Sequence, residues 1–195
     1  MSDETASAEE RIVLATISCV EKQGIENVTI RSIAKEAGVN SAAINYYFRS
    51  KENLIARAMS TTLNHFFEDW EQILGEDSKS LAERVRDLLD YFLEGAVRFP
   101  GVTKAHIYAS YRSEAGESPF KTMLNQALGQ LYEKIKGQSK AKNAREIALS
   151  IVQLLSAAML PAMMPTIFEG FSGLDFRDNR TRKTYVDLIV RALPL

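Results

Sequence analysis

The chain is short of the residues that build exported, redox-active or metal-holding proteins. It holds one cysteine, Cys19, so no intramolecular disulfide can form and nothing implies an oxidising compartment. Its helical spacing from Ile12, Ala15 and Thr16 predicts a buried structural thiol rather than a redox sensor. The two histidines, His65 and His106, are far apart and lack a Cys or carboxylate at ligand spacing, so neither a metal nor any other cofactor is expected. No run of about 18 or more apolar residues offers a bilayer span. The opening through Glu10 is polar and acidic, without the basic and apolar regions of a signal peptide. The expectation is a cytoplasmic chain with no membrane partner. Sustained period-2 alternation, a phosphate-cradling glycine loop and a nucleophile elbow are missing too, and Gly170-Phe171-Ser172-Gly173 has the wrong spacing for the last. Those absences predict an all-α protein that is not an enzyme.

Net charge is close to nil, at −1 over 195 residues, which excludes a polycation that coats any nucleic acid. Its distribution is uneven. From Thr29 to Arg57, Arg31, Lys35, Arg49, Lys51 and Arg57 stand against Glu36 and Glu52. Before that, Arg11 and Lys22 stand against Asp3, Glu4, Glu9, Glu10, Glu21 and Glu26. A modest basic patch on a neutral protein fits a sequence-specific binder.

What is present, at 46% hydrophobic content, suffices for one or two small helical domains. They are organised around Thr29 to Leu54. Thr29 is placed to cap a short helix whose Ile30, Ile33, Ala34 and Ala37 share one face, and Gly38 suits its left-handed end. Asn40 is placed to cap a second helix. Ile44 and Phe48 point to a core, while Ser41, Ala42, Asn45 and Tyr46 point largely away. That outer face is small, polar and aromatic, which suits entry into the DNA major groove. Ser50 then caps a third helix with Lys51 in its first turn, where a cation opposes the helix dipole unless it holds a phosphate.

The run TIRSIAKEAGVNSAAINYYFRSKENL, with one helix before it and a helical remainder after it, resembles the DNA-binding domain of the tetracycline-repressor family of bacterial transcription regulators. The IAKEAGV and YYFRSKENL segments carry the likeness, over about the first quarter of the chain. Asn45 departs from it, for many members have a tyrosine after the apolar anchor of the second helix. The resemblance implies a homodimer on a near-palindromic double-stranded operator, a small-molecule effector in the larger domain, and the last two long helices pairing with their symmetry mates. On the DNA side the candidates are Thr29, Tyr46, Tyr47 and Lys51 for phosphates, Asn40, Ser41, Ala42 and Asn45 for base edges, and Arg31 beside them.

In order, Met1 to Ala8 reads as a loose leader and Glu9 to Gln23 as a first helix. The helix opened by Ser50 runs to about Leu74 and connects an N-terminal domain, 1–50, to a larger one, 51–195. After a break at Gly75 to Lys79, Ser80-Leu81-Ala82-Glu83 is a capping box for a helix that stops at Pro100-Gly101. A shorter helix follows over 102–112, then one from Ser118-Pro119 to Gly137 and a basic linker, Lys136 to Lys142. Residues 143–160 form a helix apolar on more than one side, which Pro161 and Pro165 kink or end. Glu169 to Asn179 reads as irregular, and Thr181 to Leu193 as the last of about nine helices.

The larger domain holds more aromatic and sulfur side chains than a minimal bundle uses. Phe66, Phe67, Trp70, Tyr91, Phe92, Phe120, Met123, Met159 and Met163 are candidates for an apolar cavity, with His106, Tyr108, Tyr111 and Arg112 as its polar groups. The broadly apolar helix over 143–160 needs cover on most of its circumference. A second copy of the chain supplies it, through Ile147, Ile151, Leu155 and Met159 with Tyr185, Leu188 and Ile189 of the last helix. The alternative is a helical enzyme or ligand-binding scaffold without DNA-binding activity, since catalytic groups need not be sequence neighbours.

Overall fold

The computed structural model describes residues 7–112, 118–138 and 143–194, all of whose regular elements are helical. The expected leader lies outside them up to residue 6. Ser7 already caps α1, Ala8–Gln23, its Oγ accepting from the Glu10 N–H while the Glu10 carboxylate accepts from the Ser7 N–H. A 3-10 turn at Ile25–Asn27 leads to α2 (Ile30–Ala37), α3 (Ser41–Phe48) and α4 (Lys51–Leu74). Ile12, Val20, Val28, Ile33, Ile44 and Leu54 are buried together at the centre of this group.

α6, Pro100–Arg112, adds Val102 and Ala105 to the same core. The preceding helix does end ahead of Pro100-Gly101, at Arg98, and the next begins at Pro100 rather than Val102. Pro100 occupies the first helical position, where its missing N–H would have had no helical partner. A Cβ on Gly101 would lie 2.5 Å from the Glu21 carbonyl oxygen, so only glycine lets α6 begin this close to the end of α1. The Val102 N–H donates to the Glu21 carboxylate at 3.0 Å.

Backbone proximity divides the chain into two units, Met1–Phe66 with Gly101–Pro119, and Phe67–Pro100 with Phe120–Leu195. The division falls inside α4 and gives α6 to the first unit. In the second unit α5, Leu81–Arg98, packs on α8, Ala144–Met163, and on α10, Asn179–Val190. α5 opens with the expected capping box between Ser80 and Glu83. Buried Arg84 donates to the Leu74 carbonyl and to Asp77, each at 2.9 Å, and so closes the end of α4. α7 is Pro119–Gln138 and α9 is Glu169–Ser172.

Several helix ends differ from expectation. Gly137 lies within α7, and of the expected linker residues 139–142 fall outside the described ones. α9 is a short helix inside the stretch read as irregular, which brings the described α-helices to ten. α10 starts at Asn179 because the Asp178 carboxylate accepts from the Thr181 N–H at 2.7 Å, and it ends at Val190. α8 runs through Pro161 to Met163. Proline has no N–H to give the carbonyl four residues back. The Tyr185 hydroxyl supplies the missing donor, reaching the Ala157 carbonyl at 2.9 Å.

By length and composition α8 could cross a membrane, contrary to the expectation that no stretch is apolar enough. Its charged residues are confined to the first turn, so a window over the remainder passes. One face of it, with Ile147, Ile151, Leu154 and Ala158, is buried in the second unit.

Candidate nucleic-acid interface

α2 and α3 form a helix-turn-helix whose local chemistry follows the sequence closely. The Thr29 hydroxyl accepts from the Ser32 N–H at 3.0 Å, and Ser32 Oγ accepts from the Thr29 N–H at 3.1 Å. Gly38 ends α2 at φ 66°, ψ 35°, and the Val39 N–H closes the turn on the Ala34 carbonyl at 3.0 Å. Asn40 Oδ1 then accepts from the Ala43 N–H at 2.8 Å and opens α3. Ile44 and Phe48 are buried, whereas Ser41, Ala42, Asn45, Tyr46 and Tyr47 are exposed. Tyr46, at 77% exposure, projects further than Tyr47, at 43%, and their rings meet edge to face.

Three of these candidates have internal roles as well. The Thr29 oxygen and Asn40 Oδ1 serve as caps, which leaves the Asn40 amide N–H groups as its outward donors. The Lys51 ammonium donates to the Val28 carbonyl at 3.2 Å and ties the first turn of α4 to the loop before α2. Arg31 is exposed on α2. Glu36, one of the two acidic residues of the patch, is turned towards α1, where Lys22 at 2.6 Å and Ser18 hold its carboxyl below the usual range.

Arg49 was not singled out from sequence. It has φ 69° and ψ −40°, the one positive-φ side-chain-bearing residue described, and the Ser50 N–H bonds back to the Phe48 carbonyl at 2.8 Å. This is the rare, strained form of γ-turn. It ends α3 and starts α4 within two residues. Ser50 Oγ accepts from the Asn53 N–H, and Asn53 Nδ2 donates to the Phe48 carbonyl.

The cavity candidates divide. Phe67, Trp70 and Met123 line a cleft of about 330 Å³, open mouth included, with Glu71, Gln126, Ala127 and Gln130. Phe66, Tyr91, Phe92, Phe120, Met159 and Met163 are half-buried but do not line it. Tyr91 donates to the Asp69 carboxylate, and burial with that bond pushes its phenol up. Tyr108 and Tyr111 are exposed, the latter by 88%, because they stand on the outer side of α6. The Arg112 side chain lies outside the described residues. His106 faces inward in the first unit, 2.8 Å from Thr62 Oγ1. That hydroxyl donates to the Met59 carbonyl, so it accepts the His106 Nε2–H, and burial depresses the imidazole pKa to about 4.

The dimer candidates divide too. Ile147 and Ile151 are each 4% exposed within one chain and belong to its own core, and the Tyr185 hydroxyl is engaged with Ala157. Leu155, Met159 and Ile189 are half-buried and Leu188 is exposed. Leu149 and Val152, which are not among the expected pairing residues, are more than half exposed on α8. A helix that is apolar all round gives no sign of which side is inward.

The described residues thus hold a capped helix-turn-helix among elements that are all helical. Residues 12–58 match the family model for bacterial regulatory proteins of the tetR family. That match covers about a quarter of the chain, the part that holds α2 and α3. Several proteins that it resembles are named as transcriptional regulators. It is 28% identical over 86 residues to the nicotine-responsive transcriptional repressor HdnoR of Paenarthrobacter nicotinovorans, covering 43% of this chain and 44% of that one. It is 34% identical over 65 residues to the transcriptional regulator BetI of Yersinia pestis, covering 33% of each. The match thus spans less than half the length of these curated relatives. In fold it is similar to a TetR transcriptional regulator from Legionella pneumophila, with a TM-score of 0.70, 16% identity, and coverage of 97% of this chain and 99% of that one.

Proposed function

We propose that the chain is a homodimeric, sequence-specific DNA-binding transcription regulator, a repressor released from its operator by a small apolar or amphipathic ligand. The observation that carries this reading is the outer face of α3, where Ser41, Ala42, Asn45 and Tyr46 are exposed over the buried anchors Ile44 and Phe48. On DNA, Asn40, Ser41, Ala42 and Asn45 face base edges, while Thr29, Arg31, Tyr46, Tyr47 and Lys51 face the backbone. Lys51 exchanges the Val28 carbonyl for a phosphate, a stronger acceptor. The two copies pair through Leu149, Val152, Leu155, Met159, Leu188 and Ile189, and the operator is near-palindromic with half-sites about 34 Å or more apart. The ligand enters the cleft of the second unit and acts on the first through α4, which both units share. The setting is cytoplasmic.

Selection of bound sequences from random DNA tests this reading. The expected product is a near-palindrome whose retardation in a gel shift is lost at mismatched half-sites. Binding that shows no sequence preference at any salt concentration refutes it.

A further inference from the structure

The cleft of the second unit is built from two facing stripes. Phe67, Trp70 and Glu71 stand at i, i+3 and i+4 on α4, and Met123, Gln126, Ala127 and Gln130 at i, i+3, i+4 and i+7 on α7. Residues at such spacings share one face of a helix. The inner part is aromatic. Phe67 and Trp70 are buried, and their rings lie 6.4 Å apart, inclined at 47°, so that they are not stacked flat on each other. Met123 adds a polarisable thioether. At the mouth Glu71 is exposed and accepts from Gln130 Nε2 at 3.3 Å.

The lining thus offers one carboxylate, two neutral amides, two aromatic rings and no cationic side chain. An anion would meet Glu71 with nothing to neutralise it. A neutral hydrocarbon would satisfy the rings but take water from the carboxylate and amides without replacing it. A cation with an apolar body meets both demands, since ring faces and a carboxylate each attract positive charge.

We propose that this cleft takes a small organic cation, an aryl- or alkylammonium with its charged head beside Glu71 and its apolar body on Phe67, Trp70 and Met123. The proposal rests on the effector reading above and narrows it to one chemical class. The 330 Å³ includes the open mouth and the enclosed part is much smaller, so the occupant is small and its head stays near solvent.

Trp70 is the single tryptophan of the chain, so its fluorescence reports on this cleft. The probes are phenyltrimethylammonium, its neutral isostere tert-butylbenzene, and benzoate, each titrated into the full-length protein. The cation is expected to bind about tenfold more tightly than the isostere, with benzoate weakest. Glu71→Gln should weaken the cation about tenfold and leave tert-butylbenzene unchanged, and Gln126→Glu should tighten the cation. Both positions are exposed, so the variants fold. Equal affinity for cation and isostere, a cation affinity indifferent to Glu71→Gln, or no response to any probe overturns the proposal. The selected operator is then titrated with and without saturating cation. Binding that depends on Glu71 yet leaves operator affinity unaltered sustains the ligand class and refutes the effector reading.

Discussion

His106 is an inward-facing side chain that burial holds neutral, bonded to Thr62 with a pKa of about 4. In the unfolded chain a histidine titrates near 6.5. Below that pH the unfolded state binds a proton that the folded state refuses, so stability is lost as pH falls from about 6.5 towards 4, by up to about 3 kcal/mol. His106→Gln should remove that increment, which urea midpoints of both proteins at pH 7.5 and pH 5 would reveal; identical pH dependence in both would refute it. Arg49 holds strain of a different kind. Arg49→Gly should raise stability by up to about 1 kcal/mol, since glycine reaches positive φ freely, and should weaken DNA binding through the lost charge. A variant that melts lower would show that the turn is not strained. Lys51→Ala should weaken binding to every sequence and lower the salt slope by about one, whereas changing Asn45 should alter the preferred sequence. Unchanged affinity and slope for Lys51→Ala would remove it from the phosphate contacts.

Among the helices, the legible features were those whose chemistry closes within a few residues. Thr29, Gly38, Asn40, Ser50 and Ser80 act where they were expected because a cap or turn needs only its next neighbours. α8 shows what such reading misses. Pro161 reads as a helix end, but its remedy is the hydroxyl of Tyr185, which comes from another helix and cannot be located until the fold is known. Tyr185→Phe should therefore cost about 1 kcal/mol or more by leaving the Ala157 carbonyl without a donor. In a Pro161→Ala background, where the backbone N–H is restored, the same change should cost less, and a double-mutant cycle by chemical denaturation measures the difference. Additive effects would separate the two residues. The cleft was half legible for a similar reason. Phe67, Trp70 and Met123 stand out as apolar, but Glu71, Gln126 and Gln130 look like solvated helix surface until α4 and α7 are set facing each other.

Within the whole molecule, the second unit carries the exposed apolar side chains of α8 and the first carries the helix-turn-helix. Leu149→Glu or Val152→Glu should give folded, soluble monomers, while Ile151→Glu, set in the core of the single chain, should unfold it. Sedimentation and circular dichroism distinguish the outcomes, and a Leu149→Glu chain that still sediments as a dimer would place the interface elsewhere. The proposed allotment of pairing and reading to different units also has a genetic side. On the pairing proposed above, a chain with a ruined α3 would still pair and enter mixed dimers with intact copies. Equal expression of the two alleles leaves only about a quarter of the dimers with both reading heads. Damage to α3 should then behave as dominant over the normal allele, damage to Ile151 as recessive, and the same gene would yield both kinds of mutant.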